Sequence, residues 1–431
     1  MKYFSLNNRE NTSSFENAVI KGLASDKGLY FPERIPQLPK GFFDKIDELS
    51  QMEIAFEVIK DYVGDEIPEN ELKAIIDQTL DFNFPVVPVE KHIGVLELFH
   101  GPTLAFKDVG ARFMAGCLGY FAKKGKLGNI TVLVATSGDT GGAVANGFLG
   151  VEGIDVVILY PKEKVSGIQE KQLTTLGQNI RALEVNGSFD DCQDMVKRAF
   201  LDEEIQKKRQ LTSANSINVA RWLPQMFYYF LAWKQLKDKK EELVFSVPSG
   251  NFGNICAGLM AREMGLPIKH FIAANNTNDV VTRYLETEKF EPKPSVHTIS
   301  NAMDIGNPSN FVRVLEIFQN EFKNLKEALS SYSFDDEKTK KAIKEVYRKA
   351  SYVMDPHGAV GYLGLKEFLK ENPEYYGVFL ETAHPVKFLE TVEAAIGKKI
   401  EIPDKVKVFM NKEKRSEEIS NYDDLKQYLL K

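Results

Sequence analysis

Five short, almost wholly apolar runs alternate with longer segments of helical periodicity, and this alternation constrains the fold more than any other feature of the chain. The runs are residues 130–135, 156–160, 243–247, 271–274 and 378–380. A strand that alternates polar and apolar residues can face water on one side, whereas one that is apolar throughout has to be covered on both faces. Helices provide that cover when they connect parallel strands. The expected class is therefore α/β, with two parallel-sheet domains and a ligand crevice between them, for which 431 residues suffice.

Ahead of this region, residues 1–90 read as mostly helical. Residues 13–16, Ser-Ser-Phe-Glu, have the spacing of a capping box, and Gly22 suits a helix end. Helical patterns follow near 52–63 and 69–80, and residues 29–32 with Pro36 and Pro39 mark an irregular extended segment. A smaller α/β domain is expected over 91–235 and a larger one over 236–400. The charge-rich tail, 401–431, is expected to close with a helix packed through Tyr422, Leu425 and Leu429.

A formal net charge of -6 argues against a nucleic-acid surface or a polybasic membrane patch. Cys117, Cys192 and Cys256 are odd in number and lack CxxC spacing, which argues against a disulfide framework and a zinc site. The expectation is a cytoplasmic protein with no metal, and with no membrane or nucleic-acid partner.

Chemistry concentrates in a few stretches. Lys107 follows the turn at Gly101 and Pro102 and opens an apolar-periodic helix through Val109, Phe113 and Leu118. Burial among apolar neighbours and the positive helix end both favour its neutral, nucleophilic amine. Thr136, Ser137, Gly138, Asp139 and Thr140 follow one strand run and precede a helix, so backbone N–H groups and hydroxyls converge as they would on a carboxylate. Gly250, Asn251, Phe252, Gly253 and Asn254 repeat that arrangement and resemble a phosphate cup. A strand-to-helix turn that binds nothing would use the same residues in either place. Asn215, Ser216 and Arg221 begin another helix, with the guanidinium suited to a second oxyanion. Thr382 ends the last strand, where ligands of α/β folds bind, and His384 follows with a structural hydrogen bond as its expected role. Two further stretches, 304–310 and 355–358, are rich in turn and cap residues and carry no chemistry that can be read from sequence.

Taken together, these motifs resemble the fold-type II pyridoxal-phosphate enzymes. Segments 22–32 and 303–311 narrow the likeness to the bacterial and fungal branch of the threonine synthase family, over residues 15 to 390. The resemblance implies pyridoxal 5'-phosphate on Lys107 as a Schiff base, with its phosphate on residues 250–254 and its ring nitrogen on Thr382. It implies the substrate carboxylate on residues 136–140 and the substrate phosphate on Asn215, Ser216 and Arg221. The implied reaction takes O-phospho-L-homoserine and water to L-threonine and phosphate, in a monomer or homodimer. A lyase releasing a 2-oxo acid and a non-catalytic amino-acid-binding protein are the alternatives. Asp139 departs from the wider pattern, which has asparagine beside the cofactor's ring oxygen. A carboxylate there would repel that oxygen, so Asp139 is expected to be protonated or turned away.

Overall fold

The computed structural model describes residues 1–125 and 129–431. Two sheets organise it. The larger has six strands in the order Leu329–Ser333, His270–Asn275, Leu243–Pro248, Tyr376–Glu381, Ile93–Glu97 and Val86–Glu90. All its neighbouring strands are parallel except the last pair, an antiparallel hairpin. The smaller has five parallel strands in the order Glu417–Ile419, Ile180–Val185, Ile154–Pro161, Ile130–Ala135 and Gln210–Thr212. All six side chains of Ile130–Ala135 are buried, as an apolar run covered on both faces requires. Each Val, Leu or Ile so buried contributes roughly 1.5–3 kcal/mol.

Three expectations change. Ile93–Glu97 was expected in the smaller domain but pairs with Tyr376–Glu381 of the larger sheet. The chain crosses to the smaller unit only afterwards, so Lys107 lies where it leaves one unit for the other. The N-terminal region is helical but also carries a three-stranded antiparallel sheet of Thr12–Ser13, Tyr3–Ser5 and Tyr30–Pro32. Its first helix, Phe15–Lys21, is capped by Ser14 rather than Ser13, and Glu66 accepts from the N–H groups of Phe15 and Glu16. Finally, the C-terminal tail is part of the smaller sheet through its edge strand Glu417–Ile419. The helix Tyr422–Leu430 then buries Tyr422, Leu425 and Leu429 against that unit.

The N-terminal region shares the main core. Phe31 packs on Trp222 at 5.8 Å between ring centroids, and the Arg313 guanidinium lies over the Trp222 ring, 4.3 Å from its centroid. Among the described residues no helix is long and apolar enough to cross a membrane.

Candidate active site

Lys107 is the first residue of helix Lys107–Gly125, and a tight turn delivers it there. Asp108 fastens that turn by accepting from the Thr103 N–H at 2.9 Å and the Thr103 hydroxyl at 2.5 Å. Leu104 takes a left-handed φ of 59°, a strained conformation that a buried leucine holds only under such constraint. Residues 104–106 then dock antiparallel on the end of the last strand of the larger sheet. The Phe106 N–H donates to Thr382 O at 2.9 Å, and the His384 N–H to Leu104 O at 3.0 Å. Lys107 is therefore held beside Thr382 by main-chain bonds. Burial lowers its amine from the usual lysine value to about 8; Asp139 opposes this, while Arg221 and Lys387 push the same way. Much of it is neutral in mildly alkaline solution.

A crevice of about 850 Å³ opens over this lysine. Thr136, Ser137 and Thr140 line it from the smaller unit, Asn215, Ser216 and Arg221 from the connecting segment, and residues 250–254 with Thr382 from the larger sheet. Gly138 and Asp139 are absent from this lining. Gly138 has φ 138°, and a Cβ there would lie 2.4 Å from Gln169 Cδ, so its role is the turn itself. The Thr136 hydroxyl is also committed to the turn, since it accepts from Gly138 N–H at 3.0 Å and Gly141 N–H at 2.9 Å. Of the residues expected to meet a carboxylate, this leaves the hydroxyls of Ser137 and Thr140.

The 250–254 loop is more committed than its sequence suggests. Gly250 is demanded by packing, because a Cβ would come within 2.6 Å of Met303 Cα. The Asn251 amide donates to Ser216 Oγ at 2.8 Å and accepts from the Ser309 N–H at 2.6 Å, so it braces the loop. Phe252 occupies left-handed space at φ 61° and starts helix Gly253–Glu263, whose free N–H groups open on the crevice. Asn254 accepts from the Tyr229 hydroxyl at 2.5 Å through Oδ1, and its buried Nδ2 has no partner among the described residues. An unsatisfied buried donor beside a helix N-terminus suits an anion.

Ser216 Oγ accepts two amide donors, Asn251 Nδ2 at 2.8 Å and Asn310 Nδ2 at 3.0 Å. Its lone pairs are then occupied and its O–H is left to donate. Arg221 is 4% exposed, donates through Nη1 to Lys107 O at 3.2 Å, and leaves Nε buried without a partner. Burial lowers its guanidinium to about 10, against the pull of Tyr228 and Asp108. No carboxylate pairs with it among the described residues, which is unusual for a buried cation and fits an anion receptor.

Asp139 is turned away from the crevice and ionised. It pairs with Lys387 Nζ at 2.7 Å and accepts from Gln169 Nε2 at 2.9 Å. Burial works against the carboxylate, yet Lys387, Lys107 and these hydrogen bonds outweigh it and hold the acid well below its usual range. His384 is neutral: burial takes its ring down to about 4, and Nδ1 accepts from the Val386 N–H at 3.1 Å.

Several residues here have no readable signal in the sequence. The 304–310 stretch supplies Asn310 beneath Ser216. Arg313, fully buried, donates to the main-chain carbonyls of Tyr30, Ser216 and Ile217 and so fixes the 215–218 turn. His357 of the 355–358 stretch lines the crevice, donates from Nδ1 to Asp355 at 2.5 Å, and accepts from the Ala302 N–H at 3.2 Å. It thereby holds the segment that closes on Gly250. The desolvated lysine amine, the unpartnered Asn254 and Arg221 donors and the helix start together fit a carbonyl-bearing phosphate ester such as pyridoxal phosphate.

Comparison with known proteins gives one answer. A family model described as "Pyridoxal-phosphate dependent enzyme" matches residues 89–377. Models described as "Threonine synthase N terminus" and "Threonine synthase, C-terminal" match residues 2–80 and 358–429. A threonine synthase of Haemophilus influenzae is 45% identical, covering 100% of both chains. The crystal structure of threonine synthase from Escherichia coli is 43% identical with a TM-score of 0.93, covering 100% of this chain and 99% of that one. A PLP-bound threonine synthase from Brucella melitensis is 34% identical with the same TM-score of 0.93, again over 100% of this chain and 99% of that one.

Proposed function

This chain belongs to the threonine synthase family, and on that premise we propose which of its residues hold the cofactor and carry the reaction. It is a pyridoxal-phosphate-dependent lyase that converts O-phospho-L-homoserine and water to L-threonine and phosphate. Lys107 holds the cofactor through its amine. Residues 250–254 take the cofactor phosphate, mainly through the N–H groups at the helix start and Asn254 Nδ2, and the Thr382 hydroxyl meets the ring nitrogen.

Bound there, pyridoxal phosphate supplies the electron sink that makes protons at the substrate's Cα and Cβ removable. Lys107, once displaced by the substrate amine, is the base that takes those protons. Ser137, Thr140 and the backbone of their turn hold the substrate carboxylate. Arg221 and the free O–H of Ser216 hold the substrate phosphate and stabilise its charge as the Cγ–O bond breaks. Lys107 returns protons to Cγ and Cα, water adds at Cβ, and the atoms balance as threonine and phosphate.

The observation that carries this reading is a desolvated lysine amine sharing one crevice with a buried guanidinium that no carboxylate pairs with among the described residues. We further infer a cytoplasmic enzyme acting on a small molecule, as a monomer or homodimer. Its three buried free cysteines support the cytoplasmic part of that inference. The test is turnover of O-phospho-L-homoserine by wild type and Lys107→Ala. The variant should fall by at least the roughly 10²–10⁴-fold typical of a lost acid–base group. Retention of near-normal turnover would remove Lys107 from the mechanism.

A further inference from the structure

Thr382 and the 250–254 loop, assigned above to the ring nitrogen and the phosphate of the cofactor, are tied to one short device at the start of helix Pro356–Glu371. Asp355 caps that helix by accepting from the His357 N–H at 2.6 Å. It also brackets Thr382, because its own N–H donates to Glu381 Oε1 and its Oδ2 accepts from the Ala383 N–H at 3.4 Å. On its other side the device reaches the crevice, which His357 lines together with Asn301, Ala302 and Met303. His357 Nε2 accepts from the Ala302 N–H at 3.2 Å. The backbone so held lies directly against the loop: a Cβ on Gly250 would come within 2.6 Å of Met303 Cα and 3.1 Å of Ala302 O.

The helix cap is complete without the imidazole, and an apolar side chain would fill the same buried space without a polar ring to satisfy. What the imidazole adds is a link of fixed direction. A main-chain N–H can only donate, so Nε2 is the acceptor and the ring hydrogen sits on Nδ1, which donates to Asp355 Oδ1 at 2.5 Å. Asn301–Met303 is a single 3-10 turn, and the first N–H groups of such a turn find no partner within it. His357 supplies that partner for Ala302.

We propose that His357 is a positioning residue for the cofactor phosphate: oriented by Asp355, it holds the 302–303 backbone against Gly250 and so fixes the phosphate loop relative to Thr382. This rests on the reading above, in which residues 250–254 take the cofactor phosphate and Thr382 meets the ring nitrogen. A ligand that engages both places depends on their spacing, whereas one without a phosphate does not.

The experiment is an equilibrium titration of full-length apo-protein with pyridoxal phosphate and, separately, with pyridoxal, which lacks the phosphate. Wild type should prefer the phosphate ester. His357→Leu fills the space but accepts no hydrogen bond. It should lower affinity for pyridoxal phosphate by at least about tenfold, the scale of one hydrogen bond lost with its buried donor left unmet, and affinity for pyridoxal by less than about threefold. His357→Gln, whose amide oxygen can still accept from Ala302, should recover part of the loss. Gly250→Ala should weaken pyridoxal phosphate binding, and should cost less in the His357→Leu background, where the backbone it strikes is free to yield. A role in folding alone would lower both affinities together and leave the two substitutions additive. Either of those results, or full retention of the phosphate preference in His357→Leu, overturns the proposal. If His357→Leu does not fold, His357→Asn, whose amide ends short of Ala302, decides by the same criteria. A wild type that binds the two ligands equally well would instead refute the assignment of residues 250–254 to the phosphate.

Discussion

Replacing Lys107 by methionine should make the cofactor-free protein more stable while abolishing its chemistry. Burial lowers the amine from 10.5 to about 8 in the folded chain. At neutral pH both folded and unfolded chains bind this proton, and the folded chain binds it less tightly. Each pH unit of difference is worth about 1.4 kcal/mol, so the 2.5-unit gap destabilises the fold by about 3 kcal/mol. Methionine fills similar volume without a charge. Asp139 is not orphaned by the change, because Lys387 still holds it. Urea unfolding of the apo-proteins at pH 7 should show a gain of about that size in the variant, as an upper bound. The sign also fixes a pH dependence. Between about 8 and 10.5 the unfolded wild type binds more protons than the folded one, so its stability rises with pH through this window and the variant's advantage fades. A variant less stable than wild type at pH 7, or an advantage that grows with pH, would refute the claim that burial governs this amine.

Three further outcomes are expected. Gly253→Val sets a branched side chain against Ser216, whose Cβ lies 3.3 Å from the added Cβ, and should weaken cofactor binding in an equilibrium titration of apo-protein. Arg221→Leu should keep the cofactor spectrum but lose at least about tenfold in kcat/KM for O-phospho-L-homoserine, since a bond to a charged group is worth roughly 1.5–3 kcal/mol. Arg221→Lys should recover only part of this, and an unphosphorylated analogue should be affected much less. Arg313→Met strands the carbonyls of Tyr30, Ser216 and Ile217, and thermal or urea unfolding should show a loss of at least about 3 kcal/mol, at a cost of roughly 1–3 for each unmet group.

The sheets were legible where physics leaves a strand no choice. The run 130–135 is buried on both faces and has no alternation to be confused with a helix. Leu329–Ser333 lies at a sheet edge, carries three serines, and is half-exposed, so it leaves no apolar signature. Ile180–Val185 is interrupted by exposed Arg181 and escapes for a similar reason. The site divides in the same way. Lys107, Asn254 and Arg221 are reached because strand-to-helix turns announce them locally. The partners that set their electrostatics come from distant parts of the chain: Lys387 for Asp139, Asn310 for Ser216, His357 for the segment over Gly250. Nothing in their local sequence distinguishes them from ordinary cap and turn residues. Thr136 shows the converse, a residue whose motif is plain but whose hydroxyl is spent on the turn.

The most direct test of the account is to find which lysine bonds the cofactor. Two buried lysines are candidates, Lys107, which lines the crevice at the helix start, and Lys387 in its ion pair with Asp139. Reduction of the holoenzyme with borohydride fixes the linkage, and peptide mass analysis then locates it. The account predicts the added mass on the peptide containing Lys107, with Lys387 unmodified. Cofactor on Lys387, or on any other lysine, would contradict it.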